Sequence, residues 1–364
     1  MNVAEQIVAQ LVDAGVHRIY GIVGDSLNPI VDAVRKTGGS KKGGIDWIHV
    51  RHEEAAAFAA SAEAQLTGKL AVCAGSCGPG NLHLINGLYD ANRTGAPVLA
   101  IASHIPSVQI GTMYFQETHP DRIFEECSVY NELISSAAQS PRTVNSAIRH
   151  AVGLGGVSVI TLPGDVSDLK AVEHVPTYAP ARPATLAPNA TDIEEAAALL
   201  NKADKVAIFA GAGVEGAHDE VIALADALKA PIGHTLRGKH FIQYDNPFDV
   251  GMTGLLGYGA AAEGMNDADV LILLGTDFPY DQFLPDTPTI QVDTHAEKLG
   301  RRTDVGLAIH AQVKPFIEAL LPHLRAGRSD SFLKAKIKKH SEIMHAPVGA
   351  YTRNVEKMRP IHPE

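Results

Sequence analysis

The stretch Ile45-Asp46-Trp47-Ile48-His49-Val50-Arg51-His52-Glu53-Glu54, followed by the alanine-rich Ala55 to Thr67 and then Leu70-Ala71-Val72-Cys73-Ala74-Gly75-Ser76-Cys77-Gly78-Pro79-Gly80-Asn81, decides the fold. An apolar run ending at Val50 reads as one strand, and a second run ending at Cys73 as another. Between them Glu54 to Thr67 holds Ala, Glu and Gln but neither Pro nor Gly, the composition of a helix. Strand, helix, strand in that order is a parallel crossover, and in open parallel sheets ligands bind beyond the carboxyl ends of the strands. Glu53 falls at such an end, where a strand hands over to a helix. Two readings of it stand side by side. A poorly hydrated carboxyl there would hold a proton near neutral pH, whereas an acid at a helix start is also simply favoured by the helix dipole.

The alternation continues outward in both directions. Val3 to Ala14 reads as an amphipathic helix closed by Gly15, and Arg18 to Val23 as a strand running into Gly24-Asp25-Ser26, with Ser26 a cap for the next helix. Gly38 to Gly44 reads as a flexible basic loop. Leu82 to Arg93 and Arg142 to Gly153 are predicted helices, and Val98 to Ala102 and Val157 to Leu162 predicted strands. From Val175 to Pro188 the prolines 176, 180, 183 and 188 mark a linker. A second alternating unit follows, with helices at Asp192 to Ala203, Asp219 to Leu228 and Val313 to Leu324. Its strands are predicted at Val206 to Ala210, Ala230 to Thr235, Val270 to Gly275 and Thr289 to Val292. The fold class is therefore α/β, two doubly wound parallel-sheet domains with helices on both faces. Domain limits are 1–174, a linker over 175–190, a second domain over 191–326, and a basic C-terminal segment over 327–364.

Composition narrows the function. The chain has 364 residues and a formal net charge of -10, against nucleic acid or an anionic membrane as the main partner. No apolar run approaches the ~20 residues of a membrane helix, and residues 1 to 15 do not read as a signal peptide, so the expected location is cytoplasmic. The three cysteines, Cys73, Cys77 and Cys127, suit buried small residues better than a disulfide framework or a zinc site, and no metal ligands are assigned.

Gly211-Ala212-Gly213-Val214-Glu215-Gly216 follows a predicted strand and precedes a helix, as a dinucleotide fingerprint does. The fingerprint expects an acid about 20 residues on. His234-Thr235-Leu236-Arg237 stands there instead, which disfavours a conventional NAD site and leaves a tight turn with close packing as the alternative.

Arg51-His52-Glu53-Glu54, the alanine-rich helix, and Cys77-Gly78-Pro79-Gly80-Asn81-Leu82-His83-Leu84-Ile85-Asn86-Gly87-Leu88 together resemble the N-terminal domain of thiamine diphosphate enzymes. The similarity is to bacterial pyruvate oxidase (quinone-linked pyruvate dehydrogenase) and, more distantly, acetolactate synthase. It implies that Glu53 hydrogen-bonds the pyrimidine nitrogen of the cofactor in a proton relay, with Glu54 structural. It further implies that Val23 and Gly24 line the pyrimidine pocket, and that Phe115 and Gln116 approach the substrate. Taken alone, Phe115 reads as a core residue and Gln116 as a loop amide. His83 is either a partner of the site or a structural histidine.

The second unit resembles the FAD-binding central domain of the same family. The motifs are Thr235 to Lys239, Gly251-Met252-Thr253-Gly254-Leu255-Leu256-Gly257, Gly275-Thr276-Asp277-Phe278-Pro279-Tyr280 and Ile290 to Asp293. The resemblance implies flavin contacts from Gly211, Gly213, Arg237, Thr253, Gly254, Leu255, Leu256, Gly275, Thr276, Asp277, Phe278, Pro279 and Asp293. His310-Ala311 departs from the family's Gly-Asp at a position near the adenine. A third domain, holding the diphosphate through magnesium on a Gly-Asp-Gly motif, has no counterpart in the chain, since Gly24-Asp25 and Gly164-Asp165 continue into Ser26 and Val166. The resemblance thus implies a truncated pyruvate oxidase-like flavoprotein, inactive alone, whose complete form oxidatively decarboxylates pyruvate or a related 2-keto acid to acetate as a homodimer or tetramer. Acetolactate synthase and a noncatalytic nucleotide-binding fragment are the alternatives.

Overall fold

The computed structural model describes residues 1–173, 178–179, 184–352 and 359. Prolines 176, 180 and 183 of the expected linker, and residues 360–364, lie outside them. The chain divides into two compact units, Met1–Arg182 and Pro183–Glu364.

In the first unit the strands are β1 (Arg18–Gly21), β2 (Asp46–His49), β3 (Ala71–Gly75), β4 (Val98–His104), β5 (Tyr130–Leu133) and β6 (Val157–Pro163). The helices are α1 (Val3–Asp13), α2 (Asn28–Lys36), α3 (Glu53–Thr67), α4 (Pro79–Thr94), α5 (Pro120–Ile123), α6 (Ser140–Leu154) and α7 (Gly164–Ser167). The six strands form one parallel sheet in the order β2-β1-β3-β4-β6-β5. Central strands β3, β4 and β6 are buried along their whole length, as near-continuous apolar runs between two helical layers should be. Because the chain leaves β1 for β2 on one side and returns to β3 on the other, the order reverses at the β1/β3 boundary. A crevice opens at the carboxyl ends of those two strands.

Helix α3 owes its bounds to local chemistry. The His52 side chain accepts a hydrogen bond from the Glu54 N–H at its start, and Gly68 closes it in the left-handed conformation at φ 65°. Ala56, Ala57, Ala60 and Ala64 are buried, the narrow face that lets α4 approach closely. At the crossing, a methyl group on Gly87 would lie 2.5 Å from the Ala57 Cβ.

Two local expectations are corrected. Ser26 does not cap α2, whose N-terminus has no side-chain cap. Its hydroxyl instead sits 2.9 Å from that of Ser76 and accepts from the Cys77 N–H, tying the β1 exit to the β3 exit. Gly38 to Gly44 closes as a 3-10 turn over Ser40–Lys42, fastened to Asp46 by the Ser40 amide and hydroxyl, which hold the Asp46 carboxyl below its usual range. Strand β5 went unpredicted.

The second unit contains β7 (Val206–Ala210), β8 (Ile232–His234), β9 (Asp249–Met252), β10 (Tyr258–Gly259), β11 (Val270–Leu274), β12 (Thr289–Asp293) and β13 (Leu307–His310). Its helices are α8 (Ala190–Lys202), α9 (His218–Leu228), α10 (Lys239–Ile242), α11 (Ala261–Asn266), α12 (Val313–Leu320) and α13 (Ser331–Thr352). The sheet order is β10-β9-β8-β7-β11-β12-β13, parallel except for the antiparallel two-residue edge β10. Here the order reverses between β7 and β11.

Candidate functional site

Glu53 is the first residue of α3 and only 8% exposed. Helix α4 begins at Pro79 after Gly78, whose φ of 70° a side chain would resist. That turn sets His83 one turn into α4, its Nδ1 3.0 Å from Glu53 Oε2. The His52 ring stacks on His83 with centroids 4.3 Å apart. The other carboxylate oxygen of Glu53 lies over Gly80, where an added Cβ would come within 3.2 Å of it. Sequence reasoning left His83 open between partner and structural residue, and the structure brings it onto the carboxylate. Glu54, by contrast, is partly exposed and accepts a hydrogen bond from Asn86 Nδ2 at 2.6 Å, linking the surfaces of α3 and α4.

A cavity of about 540 Å³ opens at the carboxyl ends of β1, β4 and β6, with Ser26, Cys77, His104, Phe115, Gln116 and Asp165 in its walls. Phe115 is 80% exposed rather than core, and its ring stands 5.0 Å from that of Tyr114. Gln116 lies against Gly78, and its Oε1 accepts from the Cys77 thiol at 3.5 Å. The Gly78–Gly80 turn therefore has Gln116 against its first glycine and Glu53 against its last. Val23 is exposed, and Gly24 packs so closely on Ser76 that a Cβ would meet its hydroxyl at 2.4 Å. Ser26, Ser76 and Cys77 were not singled out for this role. Their position after two neighbouring strands was the available signal.

Burial pushes the Cys73 thiol up to about 12 and the Cys127 thiol up to about 11, and all three cysteines are free. Such thiols pack and do not react. His104 is 3% exposed with no partner for Nδ1 among the described residues, and burial lowers its pKa. Asp165 accepts from the amide and hydroxyl of Ser107.

In the second unit, the two loops at the β7/β11 reversal interlock. The Gly213 N–H donates to the Gly275 carbonyl at 2.9 Å, and a Cβ on Gly211 would lie 2.4 Å from that oxygen. The fingerprint glycines thus serve close packing, and the Gly213 amide is committed within the protein. Thr253 and Thr276 are buried, Gly254 takes φ 116°, and Leu255 and Leu256 are exposed. Phe278, which precedes Pro279, packs edge-on against Phe209 and Tyr280. Asp277 pairs with both Arg301 and Arg302. Asp293, 7% exposed at the end of β12, accepts from the His295 N–H at 2.9 Å and lies in register with His310. Arg237 follows β8 in the same loop as Thr235, whose hydroxyl accepts from the Gly238 N–H.

Residues 1–123 match the model of the thiamine pyrophosphate enzyme N-terminal TPP binding domain, and residues 193–320 that of the thiamine pyrophosphate enzyme central domain. The chain belongs to the thiamine pyrophosphate enzyme family. It is 54% identical over 337 residues to an uncharacterized 42.6 kDa protein of Pseudomonas amyloderamosa, covering 92% of this chain and 84% of that one. It is 31% identical to the pyruvate oxidase of Lactiplantibacillus plantarum over 89% of this chain and 54% of the oxidase. Acetolactate synthase isozyme 1 large subunit of Escherichia coli is also 31% identical, over 89% of this chain and 58% of the synthase. The chain thus spans little more than half the length of these two enzymes. The identity to these two relatives is the same. Among the described residues, no helix of this thiamine pyrophosphate family member is long and apolar enough to cross a membrane.

Proposed function

We propose that the first unit supplies the pyrimidine side of a thiamine diphosphate site in an enzyme that oxidatively decarboxylates pyruvate to acetate. The observation that carries this reading is the buried Glu53 carboxylate, held by His83 at 3.0 Å at the start of α3, in a sheet whose strand order reverses between β1 and β3. The donor set fits the group. One carboxylate oxygen is taken by His83 and the other faces a glycine, so a ring nitrogen is approached without displacing a side chain. When bound, thiamine diphosphate supplies the electron sink that decarboxylation of a 2-keto acid requires.

The chain's own residues do the rest. Glu53 would exchange a proton at its carboxylate with the pyrimidine nitrogen, and His83 holds the rotamer from which it would do so. Val23 and Gly24 would line the pyrimidine side of the site, while Phe115 and Gln116 bound the cavity that would admit pyruvate. In the second unit FAD would be held by Arg237, the Thr253–Leu256 loop, Gly275 to Pro279 and Asp293, while Gly211 and Gly213 pack against the Gly275 loop. The Phe278-Pro279-Tyr280 motif is the feature on which the oxidase reading leans over the acetolactate synthase alternative. A magnesium-bound diphosphate belongs to a third domain, and the site is completed in a homodimer or tetramer, in the cytoplasm.

The test is carbon dioxide release from pyruvate by the chain joined to a diphosphate-binding domain, with thiamine diphosphate, magnesium, FAD and an electron acceptor supplied. Acetate is the expected product, and Glu53→Gln nearly abolishes turnover while Glu54→Gln does much less. Equal losses in the two variants would remove Glu53 from its role, and acetolactate as the product would identify a synthase.

A further inference from the structure

The Glu53–His83 pair has a third neighbour that the pyrimidine relay does not use. One donor atom from each of His52, Glu53 and His83 falls within 4.8 Å of the others, on a carboxylate that is buried beneath two half-exposed rings. Two imidazoles and one carboxylate are a zinc donor set, and three protein ligands with an open fourth position are the arrangement in which zinc keeps a water. At Zn–N and Zn–O lengths of about 2.0–2.2 Å, tetrahedral ligand atoms stand roughly 3.3–3.5 Å apart. His83 Nδ1 and Glu53 Oε2 are already at 3.0 Å. The His52 and His83 rings lie stacked at 28°, so closing the triad takes a reorientation of the His52 ring out of that stack, which its exposure permits.

We propose that His52, Glu53 and His83 form a binding site for one zinc-class transition-metal ion. Magnesium and calcium are excluded by their preference for oxygen ligands, of which the triad offers a single carboxylate. Binding has an identifiable local cost. His52 Nδ1 accepts the hydrogen bond that caps α3, and a metal on either ring nitrogen ends it, since Nδ1 then carries the metal or a proton. His52 is consequently the weakest of the three ligands, and Glu53 with His83 the anchor. Here the inference rests on the proposed function in one respect only. The metal occupies the Glu53 oxygens that serve the pyrimidine, so zinc and cofactor exclude one another, and zinc is an inhibitor whose effect a chelator reverses.

The experiment is calorimetric titration of the tag-free chain with zinc chloride, with magnesium chloride in parallel and circular dichroism to check each variant's fold. Because the chain has 17 histidines, the exposed His17→Ala serves as the control for incidental binding. The expected result is one zinc per chain, unaffected by His17→Ala and by magnesium. Glu53→Gln and His83→Ala should each weaken it by more than the roughly 10–100-fold that loss of an outer-shell partner causes, with His52→Ala weakening it less. No zinc binding, or binding equally strong in Glu53→Gln and His83→Ala, overturns the site. A second titration adds thiamine, whose binding to the zinc-free chain is measured first. If thiamine binds and does not displace zinc, mutual exclusion falls. Zinc binding in a chain that does not bind thiamine counts against the pyrimidine reading and leaves the metal site standing.

Discussion

Replacing Gly87 with alanine sets two well-defined effects against each other at the helix crossing that builds the site. A methyl carbon there would lie 2.5 Å from Ala57 Cβ, 2.6 Å from the Phe58 nitrogen and 2.8 Å from the Ala57 carbonyl carbon. Carbon pairs rest at about 3.5–4.0 Å, so α3 and α4 must part by about 1 Å. Two of the three neighbours are backbone and no rotamer change relieves them. Helix propensity alone would make the substitution stabilising by about 1 kcal/mol. Overpacking costs about 1–3 kcal/mol and here falls at the upper end, which leaves a net loss of about 1–2 kcal/mol. Glu53 precedes Ala57 by one helical turn and His83 precedes Gly87 by one turn, so the same displacement opens the 3.0 Å Glu53–His83 contact. The chain has one tryptophan, Trp47 on β2, so its fluorescence follows the first unit alone during urea unfolding. With a urea slope of about 1–3 kcal/mol per molar, the midpoint should fall by roughly 0.3–2 M. An unchanged or raised midpoint would show that propensity wins and that the two helices do not meet as described.

Two further outcomes are expected. Flavin fluorescence titration of the chain should show FAD binding, with no binding in a parallel NAD titration, because the Gly213 amide is committed to Gly275 and no acid follows β8; NAD binding without flavin binding would restore the plain dinucleotide reading. Burial lowers the His104 pKa in the folded chain, so below about pH 6.5 the unfolded state binds the extra proton and the Trp47-monitored stability should fall as pH drops from there, before the carboxylates titrate; His104→Asn should flatten that slope, and an identical slope in the variant would refute it.

How much of this was legible in the sequence follows from where the signal resides. Strands β3, β4, β6, β7, β11 and β12 lie between two helical layers, so their apolar runs announced them, with ends off by a few residues at most. Strands β5, with Tyr-Asn-Glu-Leu, and β13, with alternating burial, sit at sheet edges and carry no such run. The two-residue β10 is shorter than any periodicity. Glu53 stood out because a strand end and a helix start are both local features. Its contact with His83 depends on the α3–α4 crossing across 30 residues of sequence, which glycine and alanine permit without revealing it in advance. Phe115 read as core because large apolar side chains usually are; its exposure arises in a loop whose geometry no local pattern encodes. Ser26 showed the converse failure, a good capping residue taken by a tertiary contact with Ser76 and Cys77.

The central claim, that Glu53 receives the pyrimidine ring, is tested most directly by calorimetric titration of the chain with thiamine, which carries that ring without the diphosphate. Wild type and Glu54→Gln should bind alike, and Glu53→Gln at least about tenfold more weakly, the equivalent of roughly 1.4 kcal/mol for one charge-assisted hydrogen bond. Binding that is unchanged by Glu53→Gln, or lost equally in Glu54→Gln, would contradict the account.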